Sequence, residues 1–240
     1  MRSIVGNICL VMVVSLLWLV PSGFGGNPVS VSIDSSALNN PIVDGEYIAP
    51  YSANNGQLSL VCDDIKDNQY VGVPYQFNVN NYSNIKTGSA TNVMFGAAQN
   101  AAALYQAAAY LAIELVHTPS QAAYLTFAIW DVFDDAAVKA QMLAYGDSAG
   151  YASVLSYVSN ALSIAPTEAL SYYSSVLVFT PVGCTGDGTK HCTQNGQGVQ
   201  EFFEVMPDGG SAAAYLLLAG IFCFGAMFHS RRLASMGDRA

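Results

Sequence analysis

The chain has 240 residues, 8 basic against 17 acidic, a formal net charge of −9 and only 10% charged side chains. Between residues 26 and 205 the basic residues are Lys66, Lys86, Lys139 and Lys190, facing fifteen acidic ones, so the basic footprint of a nucleic-acid binder is absent. That stretch is long enough for one domain with a real core.

At the N-terminus Arg2 precedes an apolar run, Ile8 to Val20, and then Pro21-Ser22-Gly23-Phe24-Gly25-Gly26. A positive start, a short hydrophobic segment and small residues predict a signal peptide over 1–25, cleaved after Gly25. A retained membrane helix is the weaker alternative, because proline and small residues follow the run so closely.

After the leader the sequence leans to β-structure. Val29-Ser30-Val31-Ser32-Ile33 alternates apolar and polar residues, as a half-buried strand does. Asn39-Asn40-Pro41 and Asp44-Gly45 are turn chemistry. Glu46 to Tyr51 and Gln57 to Cys62 predict two strands joined through Ser52-Ala53-Asn54-Asn55-Gly56. A loop holding Asp63, Asp64, Asp67 and Asn68 follows, then a strand from Tyr70 to Val79 broken by Pro74. The three aspartates are a weak calcium candidate, since their spacing does not match the alternate ligands of an EF-hand loop. A solvated acidic turn is the commoner outcome, so no metal is assigned.

The middle of the chain is helical. Leu104, Ala108, Leu111 and Leu115 recur at helical spacing in a predicted helix over 97–117. Thr118-Pro119-Ser120 ends it and caps the next, Gln121 to about Phe133. Asp131, Asp134 and Asp135 are expected to cap a further stretch, Ala136 to Ala144. A last helix runs from Tyr151 to Ile164 before Pro166. Strand character returns at Val176 to Thr180 and Val199 to Val205. Strands, an inserted helical block and closing strands predict a β-strand-rich α+β domain over 26–205.

Five cysteines sort by position. Cys9 lies in the leader and Cys223 in the C-terminal apolar segment. Cys184 and Cys192 bracket a Gly- and Asp-rich loop, which in an oxidising compartment predicts a disulfide. Zinc on these two and His191 is the competing assignment, and a fourth ligand is not evident. Cys62 is then left over, an odd thiol in an exported protein; a buried, inert core cysteine is its bland explanation.

The C-terminus, residues 206–240, reads in three parts: Met206-Pro207-Asp208-Gly209-Gly210-Ser211, an uncharged segment over 212–228, then His229-Ser230-Arg231-Arg232. A helix over 212–228 would be roughly 26 Å long, close to the hydrocarbon thickness of a bilayer. Arg231 and Arg232 favour a cytoplasmic end. This layout resembles the PEP-CTERM class of sorting signals in its Val-Pro-Asp-Gly variants, with Met206 where the variant has valine. The resemblance implies recognition of Pro207, Asp208, Gly209, Gly210, Arg231 and Arg232 by an exosortase-type transpeptidase. It also implies an exported protein, either anchored in the membrane or released at the cell surface. The final strand ends immediately before the signature, so any cut belongs at or after Pro207.

Two internal motifs, Leu60-Val61-Cys62-Asp63-Asp64 and Ala128-Ile129-Trp130-Asp131-Val132-Phe133-Asp134, with Gln200 in the last strand, resemble ectodomains of PEP-CTERM proteins. The same order is similar to the thioester domains of Gram-positive surface adhesins. That resemblance implies an internal thioester between Cys62 and Gln200, which captures a surface amine; Trp130, Phe202 and Phe203 are the aromatic residues expected to shelter it from water. Where the adhesin motif has a helix glutamine this chain has Thr126, losing a polar side chain expected to support the bond. A structural or adhesive surface protein follows, with extracellular polysaccharide or a surface amine as partner and no cofactor. No Gly-x-Ser-x-Gly elbow or Gly-rich phosphate loop is visible. The alternative is a secreted carbohydrate-active enzyme with paired carboxylates such as Asp63 and Asp131.

Overall fold

The alternation at the start of the domain folds as β1 (Val29–Val31), and the turn chemistry after it places a separate hairpin, β2 (Ile42–Val43) and β3 (Glu46–Tyr47). Asp44 and Gly45 between them both have positive φ, the geometry of a two-residue hairpin turn. A Cβ on Gly45 would also meet the Tyr145 hydroxyl at 2.4 Å, so a larger residue there would require that ring to move. The computed structural model describes residues 27–66, 70–87, 93–184, 192–194 and 197–206, all within one compact unit, Phe24–Met206.

The strand expected over Glu46 to Tyr51 is two pieces, because Pro50 has no N–H for a ladder. The second piece is β4 (Tyr51–Ala53), which pairs with β5 (Leu58–Cys62). Asn54, Asn55 and Gly56 turn the hairpin with positive φ at all three positions. The Asp34 carboxylate accepts from the Ser52 hydroxyl and the N–H groups of Asn55 and Gly56, which holds its pKa below the usual range. β6 (Tyr75–Asn81) starts only after Pro74.

The helical block lies between β6 and β7 (Val176–Pro181), two strands that pair directly. It begins with the short α1 (Tyr82–Lys86), capped by the Asn81 side chain on the Asn84 N–H. α2 (Ala101–His117) starts after a left-handed Asn100 and buries Tyr105, Leu111, Ile113 and Leu115 among alanines. α3 (Ala122–Ala144) joins two expected helices across a break at Asp134, whose φ and ψ of −147° and 71° are not helical. Asp134 Oδ1 accepts from the Ala137 N–H at 3.1 Å, so this aspartate caps the following stretch. α4 (Ser148–Ile164) starts three residues earlier than Tyr151, since Asp147 caps it through the Gly150 N–H.

The chain returns through β7, buried along its whole length, then the short pair β8 (Thr193–Gln194) and β9 (Gln197–Gly198), and ends in β10 (Phe202–Val205). The six-stranded antiparallel sheet has the order β1-β6-β7-β10-β5-β4. It curls until its two edges meet: Ile33, just past β1, bridges Ala53 in β4. Asp34 N–H donates to Ser52 O and Asn54 N–H to Ser32 O, each at 2.9 Å, leaving little free edge. Phe77, Phe179 and Phe202 share one face of this sheet, with the Phe77 and Phe202 rings 5.9 Å apart. Each buried phenylalanine contributes roughly 1.5–3 kcal/mol. α2 covers the other face, with Tyr105 against Phe203. The architecture is mixed α+β. Among the described residues no helix is long and apolar enough to cross a membrane.

Candidate functional site

Cys62 closes β5 directly opposite Phe202, the first residue of β10. The ladder continues past both strand ends, since Asp63 N–H donates to Glu201 O at 3.2 Å. Gln200 therefore stands opposite Asp64, two residues along from Phe202 and on the face that carries Cys62. Such diagonal neighbours lie within reach of long side chains. The Gln200 Nε2 donates to Asp64 O at 2.9 Å.

The sulfur is fully buried and has two polar neighbours. The Trp130 indole N–H, from α3, approaches Cys62 Sγ at 3.1 Å and Cys62 O at 3.0 Å. The thiol lies 3.7 Å from the Tyr51 hydroxyl. Burial pushes the Cys62 thiol up to about 12, outweighing the hydrogen bonds from Tyr51 and Trp130. At neutral pH it is a thiol, shielded from bulk water.

Beside this pair lies a cavity of about 180 Å³ walled by Tyr47, Tyr51, Trp130, Gln200 and Phe202, with Ile33, Ile65 and Val71. Glu46 is the only carboxylate among the described residues of its lining, and burial raises its pKa. Gln200 lines this cavity, while Cys62 lies behind the wall, in contact with Trp130 and Tyr51.

A second polar group lies on the opposite face of the same two segments. Asp63 and Glu201 are both fully buried. Glu201 accepts from the Tyr105 and Thr180 hydroxyls and, at 3.0 Å, from the Met94 N–H. Asp63 has no donor to either carboxyl oxygen among the described residues. Burial raises both carboxyls, and the charge of Glu201 raises Asp63 further, whereas its own donors pull Glu201 back down. The two carboxyls share one buried face of the sheet, and each is held above its ordinary range.

No family model, curated protein or solved structure matches this chain. Cys62, Gln200, Trp130 and Phe202 come together as expected neighbours. Phe203 does not join them: strand alternation turns it to the other face, where it meets Tyr105. Thr126 Oγ1 bonds back to Ala122 O at 2.8 Å within its own helix, which leaves the sulfur pair to Trp130 and Tyr51.

Asp63 and Asp64 point in different directions, and Asp64 Oδ1 accepts from the Lys66 N–H at 2.8 Å. Asp67 lies outside the described residues, among which no three His, Cys, Asp or Glu could hold a metal together. Asp131 is buried on α3 with its pKa raised to about 7, first by burial and then by Asp135. Neither Asp63 nor Asp131 lines the cavity. Cys184 and Cys192 are joined as a disulfide. His191, the leader over 1–25 and the tail from Pro207, with Asp208, Gly209, Gly210, Arg231 and Arg232, lie outside the described residues. Glu201 is the residue that sequence reasoning missed.

Proposed function

We propose that this chain is an exported surface protein, structural or adhesive, whose α+β domain forms a thioester between Cys62 and Gln200 and captures an amine. One observation carries the proposal: Cys62 and Gln200 are diagonal neighbours on one sheet face beside a cavity, with the Trp130 N–H on the sulfur. In the forming step Cys62 Sγ attacks Gln200 Cδ and the C–N bond breaks. The amide nitrogen leaves as ammonia with the thiol proton. In the capture step a primary amine attacks the same carbon, the C–S bond breaks and the thiol regains a proton. The product is an amide on Gln200. Trp130 supports the sulfur as leaving group, and the apolar wall keeps water from the activated acyl carbon.

Export by the leader over 1–25 and sorting through the tail over 206–240 complete the proposal, with an exosortase-type enzyme and the membrane as partners. Both rest on sequence pattern alone. The central test is the intact mass of the purified protein. A thioester lowers it by about 17 Da, the mass of ammonia. Methylamine then adds its own mass of about 31 Da to the thioester form, leaving the chain about 14 Da above its unmodified mass, and Cys62→Ala abolishes both changes. An undiminished mass, with Cys62 freely alkylated after unfolding, would rule the thioester out.

A further inference from the structure

The cavity beside Gln200 has its own chemistry. Its walls combine aromatic and aliphatic residues with Gln200 and Glu46, and Glu46, the one carboxylate among the described lining residues, has no Lys or Arg partner among the described residues. Glu46 is pinned from behind: the Gln141 Nε2 on α3 donates to its Oε1 at 3.3 Å and to Asp44 O at 2.7 Å. A half-buried carboxylate facing apolar walls is costly without a cation, and burial does raise its pKa.

We infer that this cavity is a recognition site for a primary alkylammonium, such as the end of a lysine side chain, with Glu46 as its counter-ion. Tyr47, Tyr51 and Trp130 offer aromatic surfaces to a cation, and Ile33, Ile65 and Val71 offer apolar surface to an alkyl stem. The volume of about 180 Å³ suits a guest of this size, since a dry cavity of roughly 150 Å³ holds a benzene molecule. The assignment of the bound amine as the nucleophile of capture rests on the thioester proposal, because Gln200 lines the same wall. The binding itself does not.

The test therefore uses the full chain carrying Cys62→Ala, in which no thioester can form, titrated with n-butylamine and followed by NMR or calorimetry. Saturable binding is expected, with n-butanol and tetramethylammonium each weaker by about tenfold or more. Glu46→Gln should weaken n-butylamine to the same degree while leaving the folded spectrum unchanged. Absence of saturable binding, equal binding of n-butanol, equal binding of tetramethylammonium, or full affinity in a folded Glu46→Gln protein would each overturn the assignment. If Glu46→Gln does not fold, the n-butanol comparison on the parent protein still decides it. Loss of the mass change with binding intact would sink the thioester alone.

Discussion

Asp63 shows how much one buried carboxyl can weigh on a small domain. It sits beside Glu201 in the core, with Asp64 adding negative charge and Tyr105 and Thr180 facing the cluster from α2 and β7. Both carboxyls bind a proton more tightly folded than unfolded, so the folded state takes up more protons. Their contribution to stability is complete below about pH 4 and is lost as pH rises through the raised folded values. Asp63→Asn keeps the size of the side chain and removes the Asp63 share of this dependence. The variant should be more stable than the parent at pH 8, by about 1–3 kcal/mol, and should lose less stability between pH 5 and pH 8. Asp131, raised to about 7, together with Glu46 and Glu204 leaves some slope in both proteins. Denaturant melts at the two pH values measure this, and parallel slopes would dismiss Asp63 as a source of the dependence. A trace of the cluster exists in the sequence. Val199, Glu201, Phe203 and Val205 share a strand face by alternation, so Glu201 is the polar residue on an apolar face. Asp63 follows Val61 on the same face of the partner strand, but Ser59 before them is polar and exposed, so no apolar face marks Asp63 out. What the pattern could not give was the partnership, because Tyr105 and Thr180 arrive from distant parts of the chain.

At the scale of elements, boundaries were legible where a side chain closes its own helix and illegible where packing decides. Asp134 belongs to the first kind. Aspartates ahead of Ala136 suggested a cap, and Asp134 does cap through the Ala137 N–H. The same carboxylate pairs with Lys66, an exposed contact that should contribute little. The two roles separate by mutation. Asp134→Ala removes both and should cost about 1 kcal/mol, within the usual range of a lost cap. Asp134→Asn keeps an accepting oxygen and should retain most of that stability. Thermal unfolding of the two variants is the measurement, and equal losses would assign the effect to the ion pair with Lys66. Other boundaries lay beyond sequence. The alternation of Val29 to Ile33 shows a strand but not that Ile33 closes the curled sheet by bridging Ala53. The pairing of β6 with β7 spans the whole helical block, and no local pattern carries a contact at that separation.

For the molecule as a whole, the cysteines connect the domain to its two ends. Cys9 and Cys223 lie in the segments assigned to the leader and the sorting tail, Cys184 and Cys192 are joined, and Cys62 is buried. If the leader is removed after Gly25 and the tail is cut at or after Pro207, the mature chain keeps Cys62 outside the disulfide and loses Cys9 and Cys223. It also keeps β10, which ends at Val205 and holds Cys62 and Gln200 in register through its pairing with β5. A cut inside β10 would remove one wall of the site, so processing and the proposed chemistry place the same limit on the C-terminus. Protein extracted from the cell surface should therefore begin near Gly26 and end between Pro207 and the apolar segment that starts at Ala212. Its intact mass, with sequencing of both terminal peptides, reads this directly. Unfolding without reductant should release no alkylatable thiol while the thioester stands, and that of Cys62 after methylamine. A mature chain that still carries residues 212–228 would identify the tail as a plain membrane anchor, and Cys223 would then appear as an additional thiol.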